Sequence, residues 1–511
     1  MKIKKLACLF LVLAVAFISV AASACGDTGT ETGGNDSGGV NDGGDNNTVG
    51  GDDSNSTVSE AELKERYNPN FEAVDMQGYV FKFGTRDDDA PHHPYPVHTR
   101  DLYAEAENGD LINDAVFKRN RYIEDKYNCV IEMDAFLEAS GEDQANKIAE
   151  RSVRAGDKSY DLLMTHMMHG FSSSLLGVFY NIADFPNIDI NQPYWNKGAN
   201  DGCSIGNRLY MGLSDLSFST NENLYCIFFN KKLIQDLSIE NPYQIIAENQ
   251  WTFETFNRII RQGYIDLNGD GIADRDDQFG YASGSAMNFL WSGGGQLTNK
   301  DANDVPYLDF INDKTIDIYS KALDITQNEY TFAEREWYNE DCIKIFQDGR
   351  AVFFSNQLCR VNDLRATEFD FGIVPYPKYD SAQERYYSYV DGHASMMAIP
   401  RNLPNPEWTG TIIEEMSFLA YRDILPVYYD VVLNVKLVRD EESAEMLEIL
   451  FDTKVFDSGY FMSTAGMDLW YMWIENIDNN RTEIVSTYER RENALTRALE
   501  RNIERILEIE E

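Results

Sequence analysis

Apolar and polar positions recur along the chain with two periods, and the switches between them mark its elements. Tyr79-Val80-Phe81-Lys82-Phe83-Gly84 is a short β-rich run ended by glycine, which predicts a first strand. Ile112, Ala115, Val116, Phe117, Tyr122 and Ile123 recur at helical spacing and predict a helix over 112–126. Cys129–Met133 reads as a second strand, 147–155 as a helix stopped by Gly156, and Tyr160–Met164 as a third strand. Strand, helix, strand, helix, strand is the layout of a parallel sheet, in which ligands bind beyond the carboxyl ends of the strands. Thr85–Asp88 and Thr165–His169 therefore become the first places to seek a site. Near the other terminus Leu495, Leu499, Ile503 and Ile506 line one face of an amphipathic helix. It is too short in heptads for a coiled coil and is expected to pack on the body.

The first residues break this pattern. Lys2, Lys4 and Lys5 precede an apolar run from Leu6 to Val20, then Ala21-Ala22-Ser23-Ala24 and Cys25. This is the three-part layout of an export signal, too short for a comfortable membrane span. The Ala22–Cys25 ending resembles the lipobox of bacterial lipoproteins. That implies cleavage after 24 and a lipid on Cys25, and several acyl chains on one residue anchor far more firmly than one. Residues 25–74 are expected to be the lipidated cysteine and an acidic, Gly-rich tether. Its stretch 26–59 holds ten glycines, seven acids and no Lys or Arg. A Gly-rich coil of that length spans about 30–35 Å, enough to stand a body off a membrane.

Charge then narrows the partners. The 511 residues carry 44 Lys+Arg against 85 Asp+Glu, a net −41, and loss of 1–24 makes the mature chain more negative still. Such a surface repels phosphates, so nucleic acid and anionic lipid faces are excluded as partners, while neutral or cationic small ligands and divalent metals remain. Apolar residues at 43% and aromatics at 13% are enough to build a large core. Besides Cys25, the cysteines Cys129, Cys203, Cys226, Cys342 and Cys359 show no metal spacing; they read as buried small hydrophobes, with one or two disulfides allowed.

Asn113-Asp114-Ala115-Val116, Arg119-Asn120 and Glu124-Asp125-Lys126-Tyr127-Asn128 resemble the sugar-binding, maltose-binding-like group of bacterial extracellular solute-binding proteins, the receptors of ABC importers. Matches continue in order through Gly156-Asp157, Tyr160–Leu163, Asn207–Leu213, the crossover strand Leu224–Lys231 and the helix start Trp251-Thr252-Phe253-Glu254. They end with the helix-to-strand turn Phe346–Val352 and the hinge-like Phe371–Pro377. The resemblance implies an α/β, two-lobed periplasmic-binding-protein-like fold of type II, hinged around an interlobe ligand cleft. It places 75–218 plus 337–373 in the N-terminal lobe and 219–336 plus 374–511 in the C-terminal lobe. It implies a lipid-anchored, extracytoplasmic receptor that takes a carbohydrate, foremost an oligosaccharide, and delivers it to ABC permease subunits.

The family pattern also implies a set of ligand-binding residues. Arg86, Asp87 and Asp88 follow the first strand, and Thr165, Met167 and His169 the third. Asn221, Glu222 and Asn223 precede the crossover strand, and Asn356 follows the Gly349 turn. Asp391 and His393 share one short segment, while Trp291, Trp470, Tyr471 and Trp473 are candidate stacking platforms. Sugars present flat C–H faces and rims of hydroxyls, which aromatic rings and Asp, Glu, Asn and Arg side chains hold. His92, His93 and His98 lie in a Pro-rich loop whose spacing fits no standard metal cage.

The sharpest local motif is Asp266-Leu267-Asn268-Gly269-Asp270-Gly271-Ile272-Ala273-Asp274-Arg275-Asp276-Asp277. Asp266, Asn268, Asp270, Asp274 and Asp277 occupy positions 1, 3, 5, 9 and 12 of a calcium loop, with the Ile272 carbonyl at position 7. Asp277 replaces the usual final Glu, and the segment after it reads as a strand, so the loop is closer to dockerin or thrombospondin-repeat loops than to an EF-hand. A structural Ca²⁺ is expected here. No nucleophile elbow, HExxH or P-loop appears, which favours binding without chemistry. Two alternatives stand beside it: a secreted calcium-containing carbohydrate-active enzyme, whose carboxylates would hide among 85 acids, and a surface adhesin-type lipoprotein.

Overall fold

The helix expected at 112–126 shows how local signals act. Asp110 caps Leu111–Tyr127 by accepting from the Ile112 and Asn113 amides, and Asn128 ends it in the left-handed region at φ 48°. Ile112, Val116, Asn120, Ile123 and Tyr127 form its buried stripe. Tyr122, expected in that stripe, instead faces solvent.

The computed structural model describes residues 60–86, 99–136, 144–333, 340–431 and 441–510. The expected signal segment, Cys25, most of the tether, Asp87, Asp88, His92, His93 and His98 lie outside them. The strands are β1 (Tyr79–Arg86), β2 (Cys129–Phe136), β3 (Leu162–His166), β4 (Tyr225–Asn230), β5 (Phe279–Ser283), β6 (Thr298–Lys300) and β7 (Pro306–Leu308). They continue with β8 (Thr331–Ala333), β9 (Ala351–Gln357), β10 (Phe371–Val374), β11 (Ser388–Tyr389), β12 (Ser395–Ala398) and β13 (Lys454–Val455).

Two mixed sheets make two lobes. The first has the order β12-β3-β1-β2, with β1 parallel to β2 and β3, and β12 antiparallel to β3. The second runs β10-β4-β9-β5-β8, with β4 antiparallel to both neighbours and β5 parallel to β9 and β8. Two small sheets, β6-β7 and β11-β13, complete the fold.

Sheet order corrects the expected lobe boundaries. β9 and β10, expected in the N-terminal lobe, lie in the second sheet. β9 has five consecutive buried residues, Ala351–Ser355, and such a strand needs a partner on each side, which β4 and β5 supply. β12, expected in the C-terminal lobe, forms the edge of the first sheet, and the helix Pro406–Leu419 packs there too. Its Thr409 hydroxyl bonds Asp161, and its Glu415 binds Lys126 and Tyr127. The hinge-like Phe371–Pro377 is thus no crossing, because Phe371–Val374 is β10. Among the described residues the chain crosses at 219–224 and at 390–394, where Leu224 pairs with Val390 and the Asp391 amide donates to the Asn223 carbonyl at 2.9 Å.

The tether also ends earlier than 74. Lys64 donates to the Tyr421 carbonyl, and Tyr67 meets the Tyr421 ring edge-on at 6.5 Å, so this part lies on the first lobe. The C-terminal helix is longer than its apolar face suggested, Ile484–Leu507, and sets Tyr488 against Phe310 of the second lobe. Cys129, Cys203, Cys226, Cys342 and Cys359 are all buried. Among the described residues no helix is long and apolar enough to cross a membrane.

Candidate functional site

Strand register decides which side chains meet. Ser395 at the start of β12 pairs with His166 at the end of β3, beside the end of β1 at Arg86. The crossing segment 390–394 therefore lands on the carboxyl edge of the first sheet. The Arg86 guanidinium, buried, donates to the His393 carbonyl and to the Ser395 hydroxyl at 3.2 Å. Asp391 accepts from the His393 amide at 2.9 Å and pairs with its Nδ1, and its second oxygen accepts from Gln357 Nε2 at 3.2 Å. Asp391 thus ties the first-lobe edge to the end of β9 in the second lobe.

Three imidazoles gather here. His166 packs edge-on against His169, with centroids 4.7 Å apart, and against His393 at 5.1 Å. His166 also caps the helix Met167–Ser174, its Nδ1 accepting from the Met168 amide at 3.2 Å, so that nitrogen carries no proton. In the 219–224 crossing Glu222 pairs with Arg100, whose guanidinium lies over the Phe218 ring at 5.2 Å. Burial first, then the nearby charges of Glu222 and Asp391, push the Cys359 thiol well up, which keeps it protonated and inert.

On the second-lobe side the aromatic residues form a continuous run. Tyr225 stacks on Tyr389 at 5.3 Å, and Tyr389 on Trp291 at 4.5 Å with the rings 13° apart. Tyr460 abuts Tyr389 and accepts from the Gly392 amide in the crossing segment at 2.9 Å. It then meets Trp470 at 5.7 Å, and Trp470 lies 3.8 Å from Tyr471, which is 45% exposed. The run begins in the hinge and ends in one accessible ring.

Of the expected ligand residues, Arg86, His169, Glu222, Asp391, His393, Trp470 and Tyr471 belong to this edge and this run, and Asn356 sits at the end of β9 with its Oδ1 on the Gln357 amide. Others are placed differently. Thr165 is buried and donates to the Met396 carbonyl at 3.1 Å, pinning β3 to β12, and Met167 is in the core. Asn221 holds Lys454 Nζ, and Asn223 donates to the Ser219 carbonyl; both brace the crossing. Trp291 is no open platform, since Tyr389 covers its face and its Nε1 donates to Asp457. Trp473 is wholly buried, bonded to the Ala286 carbonyl and packed on Tyr319 and Phe310. His166, Arg100, Gln357 and Tyr460 were missed; His166 and Gln357 adjoin expected residues, whereas Arg100 and Tyr460 lie ten or more positions from any expected ligand residue and are brought in only by the fold.

The 266–277 loop is built of Asx turns. Asp266 accepts from the Gly269 and Gly271 amides at 2.7 and 3.0 Å, Asn268 from Asp270, and Asp270 from Ile272. Gly271 has φ 75°, a conformation that a side chain would strain. Asp277 is fully buried and accepts from the Leu267 and Asp274 amides. The carboxylates turn onto backbone amides, and among the described residues no three His, Cys, Asp or Glu groups are gathered to hold a metal.

Residues 139–417, more than half of the chain, match the family model described as bacterial extracellular solute-binding protein. A cyclo/maltodextrin-binding protein complexed with maltotetraose shares the fold at a TM-score of 0.52 and 13% identity, over 85% of this chain and 99% of that one. UspC of M. tuberculosis does so at 0.52 and 14%, over 82% and 100%. No curated protein sequence matches the chain. With two mixed sheets, crossing segments and a polar edge between them, the chain belongs to the bacterial extracellular solute-binding protein family.

Proposed function

We propose that this protein is the receptor of an ABC importer, lipid-anchored through Cys25 on the outer side of a membrane, and that it captures a carbohydrate, foremost an oligosaccharide, and releases it unaltered. The observation that carries the reading is the meeting of a hydrogen-bonding group, Arg86, Asp391 and His393, with an aromatic run that ends in the open ring of Tyr471. Sugar hydroxyls suit the first and a pyranose face suits the second. The solved structure of like fold that holds maltotetraose is in keeping with this chemistry. Titration calorimetry with maltotetraose and a panel of neutral oligosaccharides is expected to show one-to-one binding and no product. Asp391→Ala is expected to weaken that binding about tenfold to a hundredfold, the worth of a hydrogen bond to a charged group. Product in the cell would make the protein an enzyme, and silence with every sugar would remove the carbohydrate.

The 266–277 loop takes a structural calcium ion in this reading, with Asp266, Asn268, Asp270, the Ile272 carbonyl, Asp274 and Asp277 as ligands. The donor set is all oxygen, and the Asx turns already curl the loop around Asp266. The carboxylates would have to swing from backbone amides to converge. Chelation with EGTA is expected to lower the melting temperature by a few degrees, and added calcium to restore it. An unchanged melt, with no calcium copurifying, rejects the site.

A further inference from the structure

The crossings at 219–224 and 390–394 are not the only ties between the lobes. Residues 201–208 belong to the first lobe: Gly212, just beyond them, pairs with Met397 of β12, and the Leu209 amide donates to Asn181. Three separate pieces of the second lobe close on this loop. The first is the β6-β7 hairpin. Lys300 Nζ donates to the carbonyls of Asp201 and Ser204 and to the Ser204 hydroxyl, and it pairs with Asp304 at 2.8 Å. Asp304 in turn accepts the Gly206 amide on its carbonyl and the Asn207 amide on its side chain, each at 2.9 Å. The second piece is the end of the C-terminal helix. Arg208 Nη1 donates to the carbonyls of Ile506, Leu507 and Ile509 at 2.8–3.0 Å. The third is 456–458, where the Ser458 hydroxyl donates to the Gly202 carbonyl at 2.7 Å.

The fit is close as well as polar. A Cβ on Gly206 would lie 2.6 Å from Leu507, and one on Gly202 would lie 2.8 Å from the Phe456 carbonyl oxygen. Gly206, Asn207 and Asp304 all adopt positive φ, which is what turns these amides toward each other. Lys300 and Asp304 are each less than one-fifth exposed, so their pairing is not a solvated surface ion pair. A lobe that swings about 219–224 and 390–394 must break it or carry it.

We propose that the 201–208 loop is an interlobe latch, held by Lys300, Asp304 and the Arg208 cap on the C-terminal helix, which sets how long the closed cleft persists. The proposal rests on the reading that the lobes open and close around a solute, and it concerns the regulation of that same cleft. Charged donors on carbonyls at helix ends, held by a handful of hydrogen bonds without a large apolar interface of their own, make the latch strong enough to matter and weak enough to release.

Hydrogen exchange read by mass spectrometry on the ligand-free full chain tests it. Lys300→Met and Arg208→Met keep the side-chain stems and remove the donors. Each is expected to speed exchange about tenfold or more in the 201–208 peptide. It should do the same in the 389–395 peptide, whose Gly392 amide is held by Tyr460 across the lobes. The β4 and β9 amides should keep wild-type protection, which reports that both variants are folded. Gly202→Ala, a steric wedge, should reproduce the pattern. Faster exchange confined to 201–208, or no change at all, overturns the latch. Failure of every sugar to bind would remove the carbohydrate reading without altering this result.

Discussion

Replacing Asp457 with Ala is expected to cost about 3–5 kcal/mol of stability, read as the shift in the urea unfolding midpoint at constant slope. The carboxylate is fully enclosed and accepts five donors: Trp291 Nε1, the Leu297 amide, the Thr298 amide and hydroxyl, and the Gly459 amide. Burial pushes its carboxyl up, while those donors favour the charged form and oppose that shift. Alanine would leave the donors buried with no acceptor and open a space beneath Trp291. The damage would also reach the hinge, because Trp291 carries Tyr389 on its face and Tyr460 follows Asp457 in the helix Ser458–Phe461. Asp457→Asn should cost less, since its carbonyl oxygen still accepts, although its amide nitrogen would face a donor. A loss below about 1 kcal/mol for Asp457→Ala would mean that water or relaxation satisfies those donors, and that Asp457 does not organise this side of the cleft.

The same residue shows where sequence reasoning stops. The family pattern makes Trp291 a stacking platform, but a position in a pattern carries no information on which face a neighbour covers, and Tyr389 lies 98 positions away. Local signals fared better. Asp110, Asn128 and the periodic stripe between them specify a helix without tertiary help. The Asx-rich loop at 266–277 forms its turns from adjacent residues. At the end of β3 the error was one of register. Thr165 is expected at the site, yet its hydroxyl bonds the Met396 carbonyl while the next residue, His166, meets His393, and in a strand a shift of one position exchanges the two faces; Met167 opens the following helix and packs in the core. Lobe membership failed for a related reason. The order of motifs was legible, but sheet order is set by which strands need two neighbours, and β9 and β12 reveal that only when packed. Asp391 and His393 were legible because they sit in one short segment; their partners Arg86 and Gln357 come from opposite lobes.

Glu414 offers a pH test of the frame that holds the latch. It lies on the helix Pro406–Leu419, nearly inaccessible, and accepts from Tyr194 Oη at 2.7 Å and Trp195 Nε1 at 2.9 Å. Those residues lead directly into the helix Lys197–Cys203 and the 201–208 loop. Burial, only partly offset by the two hydrogen bonds, raises its pKa to about 7. The sign follows from linkage. A carboxyl whose folded pKa is raised favours the fold most when protonated, so its contribution is full below the ordinary value near 4.5 and is lost as pH rises through about 7. A rise of this size corresponds to about 3 kcal/mol across that window. Glu414→Gln removes the titration, and its amide can still accept from Trp195 while donating to the Tyr194 oxygen. The variant is therefore expected to match the wild type near pH 4.5 and to exceed it by up to about 3 kcal/mol at pH 8. Comparing the two proteins at each pH cancels every other titrating group. An equal difference at both pH values would show that Glu414 does not titrate in this range. A variant weaker at pH 8 would show that the ionised carboxylate, through its bonds to Tyr194 and Trp195, is what holds this segment against the helix.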